Sequence, residues 1–154
     1  MNISARTDYA IRALLALADA QAQDAGPVSA EALAGAQGLP KKFLEAILLD
    51  LKRGGLVSSR RGSAGGYQLA TGADEIRLGA VVRIVDGPLA EVRGIRPQDA
   101  AYDGVAQHLP VVWVALRASL RSVLDEVSLA DVLNGDLPEQ VRELAQHPDA
   151  WRNR

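Results

Sequence analysis

The 154-residue chain contains no cysteine. That absence excludes disulfides, thiolate-bound metals, thiol redox switching and cysteine nucleophiles together. Histidine is scarce: His108 and His147 stand without a ligand partner three or four positions further on, so no metal site is predicted. Aromatic residues make up only 4% of the chain, so the core must come from Leu, Val, Ile and Ala. No apolar run approaches the roughly 18 residues that span a bilayer, and the N-terminus lacks a signal-peptide pattern. A cytoplasmic protein with no membrane partner is expected. Enzyme signatures are missing too. There is no nucleophile–base pair, and "GSAGG" at 62–66 lacks the lysine and the following helix of a phosphate-binding loop. No cofactor is predicted.

What is present is an ordinary globular composition, 48% apolar and 23% charged, in a length that suits one domain or a small domain with an appended element. The net charge of −2 hides a gradient. Residues 1–70 hold 8 basic and 6 acidic side chains, and residues 71–154 hold 9 and 13. Within Leu39–Gly62 the cations Lys41, Lys42, Lys52, Arg53, Arg60 and Arg61 face only Glu45 and Asp50. The Debye length is about 8 Å at physiological salt, so such a local patch matters more than the overall sign.

Periodicity organises the patch. "SARTDYAIRALLALADAQAQ" predicts a helix with Ser4 as N-cap and an apolar stripe of Tyr9, Ala10, Ala13, Leu14, Leu17 and Ala18. "VSAEALAGAQG" predicts a short helix capped by Ser29 and closed by Gly38. In "LPKKFLEAILLDLKRGG", Pro40 suits the first turn, and Phe43, Leu44, Ile47, Leu48 and Leu51 line one face. The runs "LVSSRR" and "YQLA" flank the glycine-rich link and predict a β-hairpin. Helix, short helix, turn, helix, hairpin is the order of a winged helix-turn-helix. Leu78–Val85 reads as another short helix, Glu91–Leu109 as a loop, and Pro110–Val127 as a long amphipathic helix on which Trp113, Leu116, Leu120, Leu124 and Val127 recur every 3 or 4 residues.

On DNA, Lys41 and Lys42 would reach phosphates or base edges from the third helix, and Arg60 and Arg61 would follow the backbone or enter a minor groove from the hairpin. Strand alternation lets only one of those two arginines point straight at the duplex. Glu45 has two readings: an acceptor for a cytosine amino group, or an i,i+4 partner of Lys41. A winged helix can also dock protein without binding DNA, and that remains the competing reading.

The text "ARTDYAIRALLALA", "LPKKFLEAILLDLKRGGLVSSRRGSAGGYQLA", "IRLGAVVRIVDGPLA" and "SLADVL" resembles, in order, the IscR/NsrR/CymR family of bacterial regulators, the Rrf2 type. The resemblance implies a mainly α fold with a small β-hairpin wing and a long C-terminal dimerisation helix. It implies a homodimeric, sequence-specific regulator of transcription, a repressor rather than an activator, on a double-stranded palindromic operator. The implied division is 1–72 for the DNA-binding domain, 73–109 for a connecting helix and sensor-type loop, and 110–154 for the dimerisation helix and short final helices. Residues expected at DNA are Ser4, Arg6, Ser29, Pro40, Lys41, Lys42, Phe43, Glu45, Arg60 and Arg61. Those expected between subunits are Trp113, Leu116, Leu120, Leu124 and Val127. Iron–sulfur members carry three cysteines in the loop before the long helix, and here that loop has none, so cluster sensing is not expected. Asp8, where some members supply a ligand, reads as a surface or dimer-contact acid. The effector is left open between a small molecule, a protein and none.

Overall fold

The computed structural model describes residues 2–152. Helix α1 (Ala5–Ala22) begins at Ser4, whose hydroxyl accepts from the Thr7 amide at 3.0 Å. Its buried face is Thr7, Ala10, Ala13, Leu14, Leu17 and Ala18, and the alanines let neighbouring elements approach closely. Helix α2 (Ala30–Gln37) is capped the same way by Ser29, which accepts from Ala32 at 3.0 Å. It stops at Gly38, whose φ of +63° suits glycine and turns the chain sharply into the next helix. Helix α3 (Lys41–Arg53) follows after only Gly38, Leu39 and Pro40. Pro40 precedes the helix as its N-cap instead of lying in its first turn.

Leu44, Ile47, Leu48 and Leu51 of α3 are fully buried. Phe43, expected on the same stripe, is corrected: it is 41% exposed. At 100° per residue it falls at the edge of the helix, where its ring meets Tyr9 edge-on at 5.7 Å. Strands β1 (Val57–Arg60) and β2 (Gly66–Leu69) pair antiparallel from Val57 opposite Leu69 to Arg60 opposite Gly66. Val28 adds a third extended segment, exchanging two backbone hydrogen bonds of 2.8 Å with Tyr67. Gly66 makes room for it, since a Cβ there would lie 2.5 Å from the Val28 carbonyl.

Helix α4 spans Leu78–Val85, as predicted. The predicted loop carries two short 3-10 turns, Pro97–Asp99 and Gly104–Ala106, before α5 (Leu109–Leu124). Helix α5 ends three residues short of the periodic pattern. From there the chain returns to the first half: Leu78 donates to Val127 at 2.9 Å, Leu129 to Ile76 at 3.0 Å and Ala130 to Ala73 at 3.2 Å. Helix α6 (Leu129–Asn134) opens with a reciprocal cap between Ser128 and Asp131 and packs on α1. Helix α7 (Glu139–Gln146) and a 3-10 turn at Pro148–Trp151 complete the described chain. One apolar cluster joins α1, α2, α3, the hairpin, α4 and Leu129, so α6 belongs to the core of the N-terminal unit. No helix among the described residues is long and apolar enough to cross a membrane.

Candidate nucleic-acid interface

The arrangement of α2 and α3 is held by α1. Arg12 donates from Nε to the Gln37 side chain at 3.1 Å and from Nη2 to the Gln37 carbonyl at 2.7 Å, pinning the end of α2. Arg6 on α1 bonds Asp50 on α3, and Asp50 also faces Arg53 at 3.8 Å. With the buried side chains beneath, these contacts leave α3 free to present only its outer face. Nothing local in the sequence marks Arg12 or Asp50 for this task, because their partners lie 25 and 44 residues away.

On that outer face Lys41, Lys42, Phe43 and Glu45 are all exposed. Lys41 approaches Glu31 at 3.7 Å, so the expected alternative pairing of Lys41 with Glu45 does not form. Lys42 and Glu45 make no side-chain hydrogen bond or ion pair among the described residues. At the other end of α3, Lys52 donates to Ser59 of β1 at 2.6 Å and ties α3 to the wing.

Arg60 is the last residue of β1, and Arg61 lies beyond it in the turn. Alternation along a strand therefore does not separate them, and both side chains are exposed. Neither has a hydrogen bond or ion pair among the described residues. Three cations, Lys42, Arg60 and Arg61, thus stand uncompensated on the first turn of α3 and at the wing tip. A solvated guanidinium or ammonium with no internal partner can neutralise a phosphate without first breaking a contact.

Other expected contact residues have duties inside the chain. The Ser4 hydroxyl donates to Asp86, which also accepts from the buried Thr7 hydroxyl at 2.6 Å. These two hydroxyls hold the Asp86 carboxyl below the usual carboxylate range. Arg6 is committed to Asp50, Ser29 to its cap, and Pro40 to the entry of α3. Asp8 lies at 3.5 Å from Arg12.

The second predicted surface divides. None of α5 is buried in the single chain, and Val111 and Leu116 are 70% and 46% exposed. Leu120 and Leu124 line an apolar groove of about 640 Å³ against the start of α1 and the end of α4. Trp113 instead donates from its indole to Tyr102 at 3.1 Å and holds the preceding loop. Val127 is corrected outright: it is buried in its own chain, because α5 has already ended and the backbone has turned to pair with Leu78.

A short α2–turn–α3 pair with a hairpin wing and free cations on both tips is the architecture of a winged helix-turn-helix regulator of transcription. Residues 3–135 match the family described as Rrf2, Iron-dependent Transcriptional regulator, and the chain belongs to it. An HTH-type transcriptional regulator of Mycobacterium tuberculosis is similar, at 49% identity over 145 residues that cover 94% of this chain and 89% of that one. The HTH-type transcriptional regulator CymR of Bacillus subtilis is 30% identical over 132 residues, 86% and 89% of the two chains. The solved structure of CymR, the global cysteine regulator of B. subtilis, superposes with a TM-score of 0.73 at 28% identity over 88% of this chain and 98% of that one. IscR of T. potens gives 0.67 at 31% over 96% and 92%.

The donors here do not fit the metal in the family description. The sequence offers no thiolate, and no three His, Asp or Glu side chains among the described residues gather as an iron site needs.

Proposed function

We propose that this chain is a cytoplasmic, homodimeric repressor that binds a palindromic operator without an iron–sulfur cluster. The observation that carries the reading is the set of uncompensated cations, Lys42 on α3 and Arg60 and Arg61 on the wing, clustered at the two tips of one winged helix while Lys41 beside them is paired with Glu31. Lys42 and Phe43 meet base edges or phosphates in the major groove, Glu45 is available to a cytosine amino group, and Arg61 enters the adjacent minor groove. The exposed apolar face of α5, with Val112 and Leu116, packs against the same face of a second copy, and the groove lined by Leu120 and Leu124 extends that contact.

The test is retardation of the DNA upstream of the protein's own gene, with Lys42→Ala and Arg61→Ala beside the wild type. Both variants are expected to weaken binding while leaving the circular dichroism spectrum unchanged. Wild-type protein that shifts no fragment, at low or physiological salt, would instead assign the winged helix to protein docking.

A further inference from the structure

Four arginines converge on a second place, away from the winged helix. Arg83 of α4, Arg96 before the first 3-10 turn, and Arg117 and Arg121 of α5 surround a basin of about 290 Å³ whose floor is the Pro88–Leu89–Ala90 segment. Two of these charges are matched. Arg83 holds Asp125 with both ends of its fork, at 2.7 and 2.8 Å, and Arg96 donates from Nε to Asp99 at 2.6 Å. The other two have no ion pair of their own, although Arg121 feels the Asp125 carboxylate at longer range. Arg117 donates to the neutral Gln98 at 2.6 Å, and Arg121 makes no side-chain hydrogen bond among the described residues.

Arg117 and Arg121 lie one turn apart on the same helix face, a like-charge spacing that works against the helix unless something negative sits between them. Four guanidiniums against two carboxylates leave two positive charges over an apolar floor, where screening by water is weaker than on an open surface. Guanidinium forks match anions that present paired oxygens. The volume lies at the small end of ordinary ligand pockets, about 300–1,000 Å³, which suits a compact metabolite.

We propose that this basin binds a small dianion, a short carbon skeleton carrying either two carboxylates or one phosphomonoester, with Arg117 and Arg121 as its primary contacts. It does not need the DNA-binding reading to hold. If that reading holds, the ligand has a direct route to the interface. Arg83 is drawn between ligand and Asp125, and its helix α4 abuts the end of α3, where a Cβ on Gly54 would lie 2.5 Å from Ile84.

The experiment is titration calorimetry on the full-length protein at constant ionic strength, with succinate, inorganic phosphate and acetate as probes. One dianion is expected to bind once per chain, succinate marking the dicarboxylate class and phosphate the phosphomonoester class, while acetate binds neither detectably nor competitively. The Arg117→Gln/Arg121→Gln double variant is expected to lose about tenfold or more in affinity, and Arg117→Lys/Arg121→Lys to recover only part. Neither position is buried within one chain, and an unchanged circular dichroism spectrum checks that the variants keep the fold. Absence of binding by both dianions at millimolar concentration overturns the proposal, as does binding that the double variant leaves unchanged. Loss of the dimer in the double variant without any change in anion binding also overturns it, placing the arginines in the subunit contact. Operator retardation measured in parallel keeps a failure here separate from a failure of the DNA-binding reading.

Discussion

Removing Arg61 from both protomers should change how steeply operator binding depends on salt as well as the affinity. Each chain presents Lys42, Arg60 and Arg61 without an internal partner, while Lys41 is engaged by Glu31 and Lys52 by Ser59. A dimer therefore brings six cations that can displace counterions without losing a contact. At roughly 0.9 per neutralised phosphate, the plot of log affinity against log salt should have a slope of about −5. Raising salt from about 50 to 200 mM then weakens binding by roughly 10³-fold. Arg61→Ala removes one contact from each half-site, so the slope should fall to about −3.6. Fluorescence anisotropy of a labelled operator fragment across a salt series measures both slopes. A wild-type slope shallower than about −2, or an Arg61→Ala slope equal to the wild type, would refute the assignment of the wing arginine to the duplex.

Three further outcomes test the frame that holds the interface. Asp86 accepts from Ser4 and Thr7, and its folded carboxyl titrates below the unfolded value of about 3.9. Its contribution is therefore complete above about pH 4 and lost as pH falls through the folded value. Asp86→Asn should cost about 1 kcal/mol in urea unfolding at neutral pH, discounted for the exposed carboxylate, and nothing at acid pH where wild type has lost the same term. Gly54→Ala should lower the melting temperature despite alanine's better helix propensity, because the new methyl meets Ile84 at 2.5 to 3.0 Å; the overpacking is worth about 1–3 kcal/mol. A stabilised variant would show that α3 and α4 do not pack this closely. Val112→Glu/Leu116→Glu should yield a folded monomer by sedimentation velocity, since both residues are exposed within one chain. An unaltered dimer would place the subunit contact elsewhere.

Much of this was legible before any coordinates. Ser4 and Ser29 cap their helices through the amide three residues on, and Gly38 and the Leu78–Val85 helix follow from equally short-range patterns. The wing was legible for the same reason: glycine-rich turn chemistry between two alternating runs leaves few other conformations. Phe43 was misjudged because an apolar residue at helical spacing can sit at the edge of a stripe, and only the position of Tyr9 puts it there. Val127 was misjudged because periodicity does not report where a helix stops.

The sequence by itself determined the order of the first elements, the serine caps of α1 and α2, the aliphatic part of the buried stripes of α1 and α3 and the cationic tips, since all of these follow from contacts within a few residues. Tertiary structure alone decided which cations remain free. Arg6 meets Asp50 and Arg12 meets Gln37 across 44 and 25 residues, and Arg83, Arg96, Arg117 and Arg121 reach one basin from three separate stretches of chain. Charge pairing acts through space over a few ångströms, and one-dimensional spacing carries no record of that distance.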